Sequence, residues 1–534
     1  MVPLPRRRFL KLAAGLPFVS LATRAWARPE GVDAFGAHRA TRNTALGSFN
    51  ARPLLWAKPL PYKRYAGFER EPLAKVGLES RPLASVVPAF TPASAFERAS
   101  ISRDQLSGLL LFTNGVTGQV VGRDPPVYRR AAPSAGALYA GEVYVLAQRV
   151  EGLVPGLYAF QPREHALVKL RTGRMLGRVA ATLEFPGAVE NAAAAVLLTN
   201  VFYRYKWKYR ERGYRYALLD SGHIAENLRL AAAGAGLGVA SPLRFHDDAL
   251  NGLLGQDGRR EAICALLALG RPSEWDDGGP GPRLVEKQQA EPPAWDSLDR
   301  VERYHEGTKL VPRESTKLVP LAGQEPAPPP PPAPPVDGEP TLALPELEVA
   351  PERLVTECIS ARRSAMRFSR GRLALWELAF VLEMARGAPV LASDELELLA
   401  VVHRVEGAPA GLYRYHPGSH GLEELRSADL RGPLRRACLG QPKAATAAVA
   451  FLVVGDVARA RERAGDRSYR DLLLGAGAMA QRIYLGAEAI DLGARNLAAF
   501  FDDPLNDLVG LDGRERAVVH LTVLGREPSP VGDG

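Results

Sequence analysis

The feature that most constrains this chain is that it repeats itself. Val150-Glu151-Gly152 returns as Val405-Glu406-Gly407, Gly156-Leu157-Tyr158 as Gly411-Leu412-Tyr413, and Pro162 is answered by Pro417, always at a spacing of 255. The same spacing holds for Tyr214-Arg215 and Tyr469-Arg470, Gly222 and Gly477, Leu237-Gly238 and Leu492-Gly493, Asp257-Gly258 and Asp512-Gly513, and Gly270-Arg271 and Gly525-Arg526. A register kept this long identifies two copies of one unit. Upstream the spacing becomes 272, with Leu106 to Gly115 matching Leu378 to Gly387, so the second copy is 17 residues shorter between these blocks. A chain of 534 residues has room for two such units, each with its own core.

Within each copy the hydrophobic periods mix. Glu142 to Arg149, Ala447 to Asp456, Ala262 to Gly270 and Ala517 to Gly525 read as buried strands, and Ala217 to Ala235 and Gly475 to Ile490 as apolar helices. The expectation is a tandem pair of α+β domains packed as an intramolecular pseudo-dimer, reproducing a two-fold interface inside one molecule. Domain 1 is expected over 28–275 and domain 2 over 346–530, joined by a linker at 276–345. That linker carries a duplicated Thr-Lys-Leu-Val-Pro, at Thr308 to Pro312 and Thr316 to Pro320, and the tract Pro326 to Pro335, which favours a stiff polyproline spacer.

The first 27 residues read as an address. Arg6-Arg7-Arg8-Phe9-Leu10-Lys11 precedes the apolar stretch Leu12 to Ala22 and the small-x-small pattern Ala25-Trp26-Ala27, as in a twin-arginine export signal, and a periplasmic destination is expected. The apolar stretch is too short for a permanent membrane anchor. Without this segment the formal charge falls from +9 to +4, a weak case for nucleic-acid binding despite the basic-aromatic run Tyr203 to Arg210. Cys264, Cys358 and Cys438 lie far apart with no metal-ligand spacing, so buried free thiols and no metal site are expected.

Two segments differ between the copies in a complementary way. The first copy has Pro133-Ser134-Ala135-Gly136, small residues whose backbone can lie against a planar ligand. The second has Arg362-Arg363-Ser364-Ala365-Met366-Arg367, two guanidiniums and a hydroxyl suited to a phosphate. Together with the Tyr-Arg and Leu-Gly blocks, these segments resemble the flavin-dependent nitroreductase superfamily, specifically its SagB-type dehydrogenase branch, over roughly 100–272 and 355–526. The resemblance implies FMN bound at a two-fold interface. Its phosphate would be held by Arg362, Arg363, Ser364 and Arg367. Pro133, Ser134, Ala135 and Gly136 would lie against the ring, and the backbone N–H groups of Asn496, Leu497, Ala498 and Ala499 would face the reactive edge.

The positions that answer the arginine motif in the first copy are Phe90-Thr91-Pro92, and the 17-residue gap removes the Pro-Ser-Ala-Gly equivalent from the second. One composite site per chain is therefore expected. Lys208-Tyr209, matched by Arg463-Ala464, resembles the Lys-Tyr pair that assists proton removal in SagB-type azoline dehydrogenases, and marks the candidate catalytic residues. Arg526 is an optional phosphate ligand, and His223 and His246 read as fold or surface residues. The resulting expectation is an FMN-dependent oxidoreductase acting on a small-molecule or peptide substrate. The alternatives are a nitro- or quinone-reductase-like flavoenzyme and a scaffold that kept the fold without the chemistry.

Overall fold

The computed structural model describes residues 33–44, 58–120, 127–273, 283–287, 300–312, 339–347, 349–387 and 395–528. The expected export signal and the tract Pro326 to Pro335 lie outside these residues. The first half forms a seven-stranded sheet from β1 (Arg70–Pro72), β2 (Gly141–Ala147), β3 (Gly156–Gln161), β4 (Ala166–Thr172), β5 (Ala194–Val201), β6 (Gly238–Ala240) and β7 (Glu261–Gly270), in the order β1-β4-β3-β2-β5-β7-β6. The second repeats it with β8 (Leu342–Ala343), β9 (Leu396–Val402), β10 (Gly411–His416), β11 (Gly421–Ser427), β12 (Val449–Asp456), β13 (Gly493–Asn496) and β14 (Arg516–Gly525), in the order β8-β11-β10-β9-β12-β14-β13. Every neighbouring pair is antiparallel. The architecture is the expected duplicated α+β fold.

The long helices run over Gly213–Gly234 and Ser468–Ala489, starting before the apolar stretches that announce them. Their first turns, which carry the repeated Tyr-Arg blocks, are buried. The reason is an exchange of charge between halves. Arg212 and Arg215 grip the buried Asp502 of the second half at 2.5 and 2.6 Å, and Arg467 and Arg470 grip the buried Asp247 of the first at 2.6 and 2.8 Å. Arg212 and Arg467, Arg215 and Arg470, and Asp247 and Asp502 are each 255 apart. A buried charge this well paired is tolerated where a lone one would not be.

The pseudo-two-fold axis passes where the two long helices touch. A Cβ at Gly222 would come 2.1 Å from the Leu474 carbonyl oxygen, and one at Gly477 would come 2.0 Å from that of Leu219, so only glycine permits this approach. Farther along the interface, Leu83 N–H donates to Arg353 O at 3.0 Å and Val355 N–H donates to Arg81 O at 3.1 Å, an exchange that respects the spacing of 272.

Short N-terminal arms are also exchanged. The helix Ala34–Ala40 packs against the second half, where His38 stands edge-on to Tyr469 and the Ala34 N–H donates to Asp466 Oδ1 at 3.0 Å, while Thr41 Oγ1 accepts from Arg215 Nε of the first half at 2.7 Å. The helix Arg300–Gly307, within the expected linker, packs against the first half, with His305 beside Tyr214 and Phe202. His38-x-x-Thr41 and His305-x-x-Thr308 are related, each threonine hydroxyl donating to the carbonyl of its histidine, at 3.1 and 2.8 Å. The three cysteines are buried and free. Among the described residues no helix is long and apolar enough to cross a membrane.

Candidate functional site

The sequence motifs of the two halves meet at the interface. Arg362, at the end of the helix Val355–Ala361, is 6% exposed and reaches into the first half. Its Nε donates to Ala131 O at 3.0 Å and its Nη2 to Arg130 O at 3.2 Å, immediately before Pro133. The guanidinium lies over the Tyr484 ring, 5.4 Å from its centre, and its Nη1 has no hydrogen-bond partner among the described residues. Ser364 Oγ lies 2.9 Å from Tyr484 Oη, which accepts the Asn496 N–H at 2.9 Å. A hydroxyl with one such partner keeps further capacity for an anion.

Arg363 and Arg367 differ from Arg362. Arg363 is exposed and pairs with Glu527 at 3.2 Å. Arg367 is exposed; it and Arg495 both bear on Lys443, whose ammonium is pushed down by burial and then by these two guanidiniums. Arg495 donates to Ala365 O at 3.0 Å, so this small basic group adjoins the Arg362–Arg367 segment. Arg526, by contrast, is committed to both oxygens of Glu377 at 2.9 Å, which weakens its case as a phosphate ligand.

On the first-half side, Gly136 has φ +64°. A Cβ there would stand 2.4 Å from Tyr209 Oη and 3.0 Å from Lys208 Nζ, so the structure brings the Lys-Tyr pair onto the Pro133–Gly136 segment. Tyr209 also packs edge-on against Tyr216 at 4.7 Å, and burial pushes its hydroxyl well above the ordinary tyrosine range. The basic-aromatic run that holds the pair is a helix, Phe202–Tyr209, with Arg204 and Tyr205 buried, rather than a stripe open to a polyanion.

The Asn496–Ala499 stretch is pinned from both halves. Ala498 O accepts from Arg212 Nη2 and from the Tyr216 hydroxyl, each at 3.1 Å. The expected use of its N–H groups needs correction, because Asn496 N–H is spent on Tyr484 and Leu497 N–H on Leu521 O at 2.9 Å within the sheet. The amides of Ala498 and Ala499 have no protein partner among the described residues, so any ligand contact by N–H falls to them.

His223 is a functional neighbour the sequence did not expose. It is buried, its ring nitrogens meeting Gln481 Oε1 at 2.8 Å and Asn496 Nδ2 at 2.9 Å, and Gln481 Nε2 donates to Asn227 Oδ1 at 2.6 Å. Because Asn496 Nδ2 can only donate and Gln481 Oε1 only accept, the ring is neutral with its proton on Nδ1. Burial, followed by the neighbouring His520, holds its pKa well below the ordinary value. The available signal was position, since His223 directly follows the axial Gly222.

The pseudo-symmetric place is built otherwise. Ala93 N–H donates to Val239 O and Ala365 N–H to Ala494 O, both at 2.9 Å, so Phe90 stands where Arg362 does. There Arg229, at the position of Tyr484, lies 4.3 Å over the Phe90 ring and pairs with Glu226, which also binds Arg482 at 3.1 Å. A cavity of ≈ 380 Å³ is lined by first-half residues, including Glu79, Asp104, Gln105, Glu151 and Arg271. No cluster suited to a metal ion occurs among the described residues.

Comparison with known proteins gives the geometry its family. The nitroreductase family model matches residues 94–271 and again 359–526, the two copies in turn. A protein of Methanocaldococcus jannaschii assigned by name to the nitroreductases is 31% identical over 148 residues, 27% of this chain and 72% of its own length. The trifolitoxin operon protein TfxC of Rhizobium leguminosarum is 34% identical over 74 residues, which is 14% of this chain and 21% of that protein. A crystal structure from Anabaena variabilis, described as a nitroreductase, superposes with a TM-score of 0.74 at 26% identity, covering 93% of this chain and 100% of that one. With both copies matched, and a two-copy relative superposed along nearly the whole chain, this protein belongs to the nitroreductase family.

Proposed function

We propose that the chain is an FMN-dependent oxidoreductase with one working site, composed from both halves, and that it acts as a dehydrogenase of SagB type. The observation that carries the reading is Arg362 of the second half hydrogen-bonded to Arg130 O and Ala131 O, at the root of the first half's Pro133–Gly136 segment, while Phe90 occupies the matching place. Family members generally use flavin, and the residues present suit one. Arg362 Nη1 and Ser364 offer donors for the phosphate, with Arg367, Arg495 and Lys443 adding positive charge nearby. Pro133 to Gly136 and the unpaired amides of Ala498 and Ala499 offer the ring a flat surface and donors.

When bound, the flavin supplies the hydride acceptor, and the protein supplies orientation and proton handling. Tyr216 and Arg212 fix Ala498, His223 fixes Asn496, and Lys208 with Tyr209 stands where a proton leaving the substrate is taken up. Azoline-type oxidation is one reaction this arrangement suits. Export to the periplasm by the N-terminal twin-arginine segment is part of the same proposal.

The test is flavin released on denaturation from the purified chain after reconstitution with FMN. About one FMN per chain is expected, against about two for a protein with both places working. The pair Arg362→Ala and Ser364→Ala should strip the flavin. No uptake by the wild-type chain would overturn the reading and favour the scaffold.

A further inference from the structure

Beneath the Pro133–Gly136 segment lies a carboxyl that the function above does not use. Asp220, on the long helix Gly213–Gly234, is 7% exposed and has no cationic partner among the described residues. Its Oδ2 accepts the Ala135 N–H at 3.1 Å and, in a shorter contact, the hydroxyl of the buried Tyr205. Tyr205 Oη in turn lies 3.0 Å from Ser134 Oγ, which accepts the Tyr139 N–H at 2.9 Å.

These bonds have a sense. Tyr205 has one hydroxyl proton and gives it to Asp220, so Ser134 must donate to Tyr205, and Ser134 Oγ keeps one lone pair for a donor in the site. Ser134 is half-buried and lies two residues before Gly136, against which Lys208 Nζ and Tyr209 Oη stand. Burial raises the Asp220 carboxyl to about 7, although Tyr205, Ser134 and Ala135 all pull it down. The titratable groups facing it come from the helix Phe202–Tyr209: Tyr205 and Tyr209, whose hydroxyls burial pushes upward. The segment Pro133–Gly136 contributes only neutral donors. The chain of groups exists once, since Ala460 and Gly475 stand at the positions of Tyr205 and Asp220 in the second half.

We propose that Ser134, Tyr205 and Asp220 are the proton path of the composite site. A bound flavin would accept the substrate's hydride, which carries both electrons. The proton that leaves the substrate, taken up beside Gly136 where Lys208 and Tyr209 stand, moves on to Ser134 Oγ while the serine proton passes to Tyr205 and the tyrosine proton to the Asp220 carboxylate, which becomes the acid. The reverse passage would return a proton from Asp220 through Tyr205 and Ser134 to the site when the reduced cofactor is reoxidised. Asp220 is a positioning residue as well, because it holds Ala135. The inference rests on the flavin reading above.

Two measurements on the full chain test it. In difference infrared spectra without flavin, a carboxylic-acid carbonyl band should titrate near neutral pH, be absent in Asp220→Asn, and shift in Tyr205→Phe. In flavin-loaded protein reduced with dithionite, reoxidation by p-benzoquinone should slow as pH rises through about 7. Asp220→Asn and Tyr205→Phe should remove that step and slow reoxidation about 100-fold while flavin content stays near the wild-type value. If Asp220→Asn keeps the band or the pH step, the path is wrong. Failure of the wild-type chain to take up flavin sinks the oxidoreductase reading instead, and that result is seen before any variant is compared.

Discussion

The working place and its pseudo-symmetric counterpart pair the same two kinds of group with the partners exchanged. At one, the guanidinium of Arg362 lies over Tyr484; at the other, that of Arg229 lies over Phe90. The first spends its arginine across the interface and leaves one end open, whereas the second neutralises its arginine on Glu226 and closes. At the second place a ring and a buried ion pair stand in place of the open guanidinium, while the backbone bonds around both, Ala93 to Val239 and Ala365 to Ala494, are the same. Chemistry diverged inside a frame that did not.

The largest expected effects break that frame. Asp502→Ala and Asp247→Ala each strand two buried arginines, and each should cost about 3–5 kcal/mol in urea unfolding. Asp502→Ala should in addition weaken flavin binding, because Arg212 then loses the anchor that sets it on Ala498 O, whereas Asp247→Ala should not. Next, Arg362→Ala should weaken flavin affinity about 10–100-fold in an equilibrium titration, the worth of a hydrogen bond to a charged group, and Arg229→Ala should leave it unchanged. Gly222→Ala, which drives a Cβ onto a carbonyl oxygen, should cost about 1–3 kcal/mol and show that the axis tolerates nothing larger than hydrogen.

The smallest effects are in pH. Burial would raise Asp502, but Arg212 and Arg215 overcome it and hold the carboxyl down at about 2, so its stabilisation is present above the ordinary aspartate range and lost as pH falls through that range toward 2. Asp220 has the opposite sign. Held up at about 7, it lowers stability as pH rises from the ordinary range to neutrality, so Asp220→Asn should gain on wild type between about pH 4 and about pH 7 in unfolding midpoints.

Much of this was legible because it is written in register. The spacings of 255 and 272 put Gly222 opposite Gly477 and Phe90 opposite Arg362, and both correspondences hold in three dimensions. The complementary losses of motif were readable in the same way. What the sequence hid are contacts whose partners lie in the other half. Asp247 and Asp502 each open a short helix beside a second aspartate, Asp248 and Asp503, and nothing local marks the first of each pair as the anchor of two arginines. The long helices start earlier than their apolar stretches for the same reason, since the partners that bury Arg215 and Arg470 lie in the other half. The polar network of Ser134, Tyr205 and Asp220 joins residues from three elements and has no period to betray it.

The exchanged arms impose an order in time. The arm at residues 33–43 is made first, but the surface it docks on, around Tyr469, emerges more than 400 residues later. At ordinary rates of synthesis that is a wait of roughly 20–80 s, and Arg212 and Arg215 in their turn wait roughly 15–60 s for Asp502. Those contacts of the first half form only once the second half has been made, and a ligand that needs groups from both halves waits at least for the Asn496–Ala499 stretch.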